Sequence, residues 1–517
     1  MPTEPQDAVV AAETIAKGYT FTGPALDLGA LLWDGACLPD APIRLPLGVL
    51  NRHGLVAGAT GTGKTKTLQL IAEQLSAAGV PVFLADIKGD VSGISAPGAP
   101  GDRTAKRAAE VGQQWTPAGF PAEFYALGGM GAGIPLRATV TSFGPVLMSK
   151  VLGLNPTQEQ SLGLIFHYAD TKGLELIDLK DLRAVVTFLT SDDAGKKELK
   201  TIGGISPATA GVILRTLTAF EAQGAGAFFG EPEFDTSELL RTAADGRGIV
   251  SVLELPEVQD RPQLFSTFLM WLLADLFEDL PEVGDLDRPK LVFFFDEAHL
   301  LFNDASKAFL DAITQTVRLI RSKGIGIFFV TQTPKDVPGD VLAQLGNRVQ
   351  HALRAFTPDD AKALRATVQT FPRSPYDLEE LLTTLGTGEA VITVLSETGA
   401  PTPVAATRLR APQSLMGPVD PTTLSAAVEA SPLYGRYAQA IDRESAYEKL
   451  SAPTAAPAPP TPAAPAKKPA PAKEQPGVVE QVVGSGAFKS LARSIGTQLG
   501  REITRSLFGT SKRSRRR

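Results

Sequence analysis

From residue 54 to about 410, short and nearly continuous apolar runs alternate with longer stretches of helical period. The runs predict strands at Gly54–Ala57, 82–85, 123–126, 248–255, Leu291–Phe295, Ile325–Thr331, 348–353 and 390–395. Strands that are apolar on both faces belong in a sheet covered by helices on both sides. The alternation predicts an α/β fold built on a mostly parallel sheet. Between about 150 and 245 the alternation stops. Asn155-Pro156-Thr157-Gln158-Glu159 reads as a helix start, and further helical stretches cover 179–189 and 207–223, so this region predicts a mainly helical insertion. The apolar stretch 265–277 carries Asp275 and is too short for a membrane span; it predicts a buried helix.

The pattern weakens at both ends. Residues 1–50 are punctuated by Pro and Gly and suggest an irregular region with a small β element. Residues 413–451 read as a helical segment. Residues 452–476 are nearly all Ala, Pro, Thr and Lys, a disordered linker without apolar bulk enough to fold. Within 477–517, Phe488, Leu491, Ile495, Leu499, Ile503 and Leu507 recur at three- or four-residue steps, with Lys489, Arg493, Arg501 and Arg505 on another face. That predicts a basic amphipathic helix. The remaining divisions are 51–150 and 246–412, two parts of one core, with 151–245 inserted between them.

The strand at Gly54–Ala57 runs into Gly58-Ala59-Thr60-Gly61-Thr62-Gly63-Lys64-Thr65, and a helical stretch follows. This is the phosphate-loop pattern G-x-x-x-x-G-K-[ST] in the strand–loop–helix setting it requires. Glycines let backbone N–H groups turn toward phosphate oxygens, and the helix N-terminus favours the anion. Gly58 through Lys66 are therefore the predicted nucleotide-binding residues, with Lys64 on the β- and γ-phosphates and the Thr65 hydroxyl on Mg2+. The strand at Leu291–Phe295 ends in Asp296-Glu297. Asp296 is the expected second magnesium residue. Glu297 is the expected water-activating acid, which hydrolysis needs and transfer to a second substrate does not. His299, two residues on, reads as a helix-start or packing residue, and the four histidines show no metal-ligand spacing.

Three further positions are candidates. Gln332, just past the strand Ile325–Thr331, either contacts the γ-phosphate or attacking water or ties down the loop before Pro334. Asp86, at the tip of the second strand, either orients Glu297 or its water or shapes a turn. Arg321, like Arg318 and Arg348, either reaches a nucleotide in its own or a neighbouring subunit or is a surface residue; an arginine in that role is worth roughly 10³–10⁵ in rate.

Composition narrows the setting. One cysteine, Cys37, excludes an intrachain disulfide and suits a reducing compartment. Met1 to Lys17 lacks a signal-peptide pattern, and the expectation is a soluble cytoplasmic protein without a transmembrane segment. Net charge is −6, yet residues 477–517 hold nine Lys/Arg against Glu480 and Glu502, a balance of +7 that leaves −13 on residues 1–476. The body is not a generally basic surface. Contact with nucleic acid then falls to local loops, an assembled pore or the tail.

Together, Gly58–Thr65, Asp86, Phe295-Asp296-Glu297-Ala298-His299, Arg321-Ser322-Lys323-Gly324 and Thr331-Gln332-Thr333-Pro334 resemble the HerA/FtsK class of RecA-like P-loop ATPases, most closely a bacterial HerA-like helicase subgroup. The resemblance spans about 20–410. It implies a RecA-like core, ATP and Mg2+ as ligands, hexameric rings, translocation of double-stranded DNA, and Arg321 as an arginine that helps catalysis. A motor or switch on protein partners, with the tail as its docking helix, is the alternative; a tail at an anionic membrane surface, or docked on the body, is also open.

Overall fold

The computed structural model describes residues 5–451, apart from Asp285 and residues 304–306. The linker 452–476 and the basic helix expected within 477–517 lie outside the described residues. The chain forms two compact units. The first comprises the described residues up to Leu136 together with Phe234–Gln439.

That unit carries a sheet of twelve strands: β1 Ala25–Trp33, β2 Ala36–Pro46, β3 Gly54–Ala57, β4 Val82–Asp86, β5 Ala122–Leu127, β6 Ile134–Leu136, β7 Val250–Glu254, β8 Leu291–Phe295, β9 Ile325–Thr331, β10 Asn347–His351, β11 Glu389–Thr393 and β12 Ala405–Leu409. Their order is β2-β1-β12-β11-β10-β3-β9-β8-β4-β7-β5-β6. From β10 to β6 neighbouring pairs are parallel; from β10 to β2 they are antiparallel. All eight strands expected from the sequence are present.

The sheet's middle is its most apolar part. Every residue of β3, β8 and β9 is buried. Phe294 of β8 stacks on Phe328 of β9 with ring centres 5.2 Å apart, and Phe293 lies 5.1 Å from Phe83 of β4. Such pairs add roughly 0.5–1.5 kcal/mol each beyond the area they bury. The helix Pro262–Asp279 buries most of 265–277, with Phe268 and Leu272 at 0% exposure and Ser266, Ala274, Asp275 and Phe277 half-buried. Among the described residues no helix is long and apolar enough to cross a membrane.

The N-terminal region differs from expectation. Its β element is not small: β1 and β2 are nine and eleven residues long and extend the main sheet. β2 contains Pro39, Pro42 and Pro46, which hide a strand from a propensity reading. Proline is tolerated where one side of a strand needs no partner, and β2 is the edge strand.

His53, just before β3, joins β9 to the helix Lys307–Ile320. Its Nδ1 accepts from the Ile327 N–H at 3.0 Å, which leaves Nε2 to donate to the Val317 carbonyl at 2.7 Å. Burial pushes its pKa down to about 4, so the ring stays neutral in this structural role.

The second unit comprises Arg137–Glu233 and the described residues from 440 on. It is helical: Val140–Val151, Pro156–Thr171, Leu179–Ser191, Asp193–Thr201, Pro207–Ala222 and Ala446–Ser451. Asn155 caps the second of these, its side chain accepting from Gln158 N while the Gln158 side chain returns a bond to the Asn155 N–H. Within the unit, Asp181 accepts from Tyr447 N at 2.9 Å, and Arg443 grips Glu231 with two bonds of 2.7 and 2.9 Å. The helical region thus begins earlier than the interruption in the sequence pattern suggests, and it draws in a distant C-terminal segment.

Candidate nucleotide site

Strand register decides what meets at the carboxyl edge of the sheet. Ala57 of β3 pairs with Thr331 of β9, Phe329 of β9 with Phe295 of β8, Phe295 with Ala85 of β4, and Asp86 of β4 with Glu254 of β7. The phosphate loop, Gln332, Asp296-Glu297, Asp86 and Glu254 therefore leave adjacent strands at the same edge. Ligands bind at this edge in open α/β sheets.

The loop is fastened on three sides. Gly58 N donates to Thr331 O at 3.2 Å, Ala59 N to Ala352 O at 2.8 Å, and Gly388 N to Thr62 O at 2.9 Å. Gly63 precedes the helix Lys64–Ala77 with φ +110 and supplies no side-chain cap. The first-turn N–H groups of that helix have no partner within it and point outward, as an anion site requires. Gly58 has φ +156, and a Cβ there would meet His351 Cβ at 2.4 Å and Thr62 Oγ1 at 3.0 Å. Gly58→Ala is expected to lose roughly 1–3 kcal/mol of stability through that overlap and to weaken nucleotide binding. Denaturant unfolding and calorimetry check it; parental values for both would remove the steric role given to Gly58.

Lys64 is only 7% exposed. Its single hydrogen bond among the described residues is from Nζ to Ala59 O at 3.2 Å. Burial pushes its pKa down, although the charges of Glu297 and Asp296 work against that. A buried ammonium with most of its donors unused suits an arriving phosphate. Thr65 is half-buried beside it, whereas Thr60 and Gly61 are exposed at the loop's crest. Lys66 faces away from the crest: its Nζ lies 3.5 Å from Gln69 Oε1 and feels the charges of Asp90, Asp86 and Glu73.

The acid pair has well-separated environments. Asp296 is 1% exposed. Its Oδ1 accepts from Glu297 N at 2.8 Å, and its Oδ2 has no hydrogen-bond partner among the described residues. Burial drives its pKa up to about 7, against the pull of Lys88. A carboxylate oxygen left unpaired at such cost fits a cation or its bound water. Among the described residues no cluster of three or more His, Cys, Asp or Glu could hold a metal by itself. Magnesium usually keeps several waters and is bound through one or two carboxylates plus substrate phosphates. Thr65 and Asp296 are the residues that would hold it.

Glu297 is 6% exposed and has φ +46, the left-handed region that non-glycine residues seldom occupy. The backbone is held there by Glu297 N on Asp296 Oδ1, Ala298 N on Val330 O at 2.9 Å and Leu300 N on Glu297 O at 2.9 Å. Backbone conformations of this kind cluster at functional sites. Lys88 forms an ion pair with Glu297 Oε1. Burial opposes the charged form, but the hydrogen bond and charge of Lys88 prevail and hold the carboxyl below its ordinary pKa. His299 Nδ1 lies 3.2 Å from Glu297 Oε2 but is not aligned for a hydrogen bond.

Asp86 is fully buried and accepts from Gly89 N and Val91 N, both at 2.8 Å. Its direct contacts are thus with its own turn. Next to it, Glu254 has its pKa raised to about 8 by burial and by the charges of Asp86 and Asp90. Gln332 is exposed one residue beyond Thr331, beside the start of the phosphate loop. Arg321 is placed elsewhere. It opens a short turn, Arg321–Lys323, that precedes β9, so it lies at the amino edge, roughly 20 Å of strand away from Gln332. Arg348, paired with Leu55 at the start of β3, shares that edge.

Sequence reasoning passed over Lys88, Glu254 and His351. His351 Nε2 lies 2.9 Å from Thr67 Oγ1 and its ring backs the phosphate loop. A lysine two residues past a strand-tip aspartate was the one local sign of Lys88.

A mostly parallel sheet with a phosphate loop and an acid pair on strands separated by one other, β9, defines a P-loop ATPase. Residues 34–517 match the family described as Helicase HerA-like C-terminal, and the chain belongs to it. It is similar to the Probable helicase MJECL08 of Methanocaldococcus jannaschii, at 28% identity over 153 residues, which is 28% of each chain; the match thus covers under a third of that relative. Among solved structures, the bacterial conjugative coupling protein TrwBdeltaN70 aligns with TM-score 0.51 at 14% identity, over 79% of this chain and 94% of that one. The plasmid coupling protein TrwB in complex with ADP and Mg2+ aligns with TM-score 0.50 at 15% identity, over 78% and 98%. At these identities the likeness is one of fold.

Proposed function

We propose that this chain is an ATP-hydrolysing, oligomeric motor acting on double-stranded DNA. The observation that carries the reading is the convergence of Lys64, Thr65, Asp296 and Glu297 at one sheet edge in a chain of the HerA-like helicase family. The amides of Gly61 to Lys66 and the Lys64 ammonium bind and align the phosphates. Magnesium, when bound, offsets charge on the β- and γ-phosphate oxygens. Glu297 orients a water in line with the γ-phosphorus and takes up its proton, and Gln332 contacts the same water or the γ-phosphate. Arg321, at the far edge, serves a neighbouring subunit's nucleotide, which makes assembly part of the site; a hexamer is the expected form.

DNA is the substrate this reading favours, held by pore loops and by the basic residues 477–517. Duplex DNA should raise ATP turnover several-fold, and the gain should shrink steeply between about 50 and 200 mM salt as counterion release weakens phosphate contacts. Turnover measured with and without duplex DNA across that range checks it. An active enzyme that no nucleic acid stimulates would shift the reading to a protein client.

A further inference from the structure

Glu297 has a fixed backbone and a side chain that makes one hydrogen bond. Among the described residues, that bond is the ion pair from Lys88 Nζ to Oε1; Oε2 has no hydrogen-bond partner, and His299 Nδ1 lies 3.2 Å from it without alignment for one. Lys88 is itself well mounted. The Asp86 carboxylate accepts from Gly89 N and Val91 N, and Leu255 N donates to Asp86 O at 2.9 Å, so the turn carrying Lys88 is tied to β4 and β7. Gly89, at φ +69, has Pro256 Cγ 2.9 Å from where a Cβ would stand, which leaves that turn little room to shift.

We propose that Lys88 is the positioning residue of the hydrolysis, gripping Oε1 of Glu297 so that Oε2 faces the attacking water. The proposal rests on the reading of Glu297 as the water-activating acid. It also gives Asp86 a purpose, as the residue that sets the lysine-bearing turn.

Two effects of the lysine oppose each other. An ammonium beside a carboxylate makes it a weaker base, which slows proton uptake. It also fixes the carboxylate's direction. In phosphoryl transfer the transition state is loose, so the water's placement matters more than early loss of its proton. Geometry comes before pKa in judging such a group, and a displacement of about 1 Å can cost roughly 10²-fold in rate. Positioning therefore outweighs the loss of basicity. The adjacent strands fit this division of work: β4 brings the lysine, β8 the acid, and β3 the phosphate loop beyond β9.

The test uses the full chain and five proteins: parent, Lys88→Met, Lys88→Arg, Glu297→Gln and the Lys88→Met/Glu297→Gln double variant. Lys88→Met should lower kcat about 10- to 100-fold, with affinities for ADP and for a non-hydrolysable ATP analogue within about threefold of parent. In the Glu297→Gln background the same change should have no further effect on the residual rate, because the lysine acts through the acid. Lys88→Arg should recover part of the rate. A Lys88→Met kcat within about twofold of parent would overturn the proposal, as would a loss that multiplies with that of Glu297→Gln. Weakened ADP binding would likewise assign Lys88 to nucleotide binding or folding instead. The underlying reading fails separately, if Glu297→Gln alone hydrolyses ATP at the parental rate.

Discussion

Lys64→Ala abolishes measurable ATP turnover while the protein remains folded. The expectation follows from the lysine's state without ligand. The residue is 7% exposed, and its ammonium donates to one carbonyl, that of Ala59. Desolvation at this site raises the energy of the free protein, and a triphosphate reverses that cost. Removing the side chain therefore costs the free fold little, since it deletes a poorly solvated charge along with one hydrogen bond. The bound state and the transition state lose far more. A charge-assisted contact to phosphate is worth about 1.5–3 kcal/mol in affinity, and a missing stabiliser of developing charge costs about 10²–10³ in kcat. The check is a melting curve beside ATP turnover and ADP binding. Full turnover in Lys64→Ala would mean that phosphate binds elsewhere.

Glu297→Gln has the opposite signature: nucleotide binds, and hydrolysis stops. The substitution keeps shape and removes the charge that polarises the water. A general base contributes about 10²–10⁴ in rate, and single-turnover hydrolysis should slow by that factor. Affinity for ATP should hold or rise, because an anion close to the incoming γ-phosphate has been neutralised. The variant should thus retain ATP through gel filtration where the parent releases ADP. Hydrolysis at the parental rate would take the water-activating role away from Glu297.

What the sequence made legible follows from the range of the interactions involved. The phosphate loop and the acid pair are local motifs on strands whose residues are all buried, so periodicity and spacing expose both. β2 was hidden by its prolines, and β6, three residues long, carries too few positions for a pattern. The pairing of Lys88 with Glu297 spans 209 positions; no window of sequence contains it, and only the adjacency of β4 and β8 creates it. Arg321 shows another limit. Its residue type and place before a strand were plain, but which edge it occupies follows from strand direction. In a parallel sheet, residues that precede strands gather opposite those that follow them, which separates Arg321 from Gln332.

The most direct measurement is an experimental structure of the full chain with Mg2+ and a non-hydrolysable ATP analogue. The account predicts the triphosphate along Gly58 to Thr65, with one magnesium between the Thr65 hydroxyl and the Asp296 carboxylate and Glu297 facing the γ-phosphorus. A nucleotide seated away from that loop, or a metal out of reach of Asp296 even through water, would contradict it.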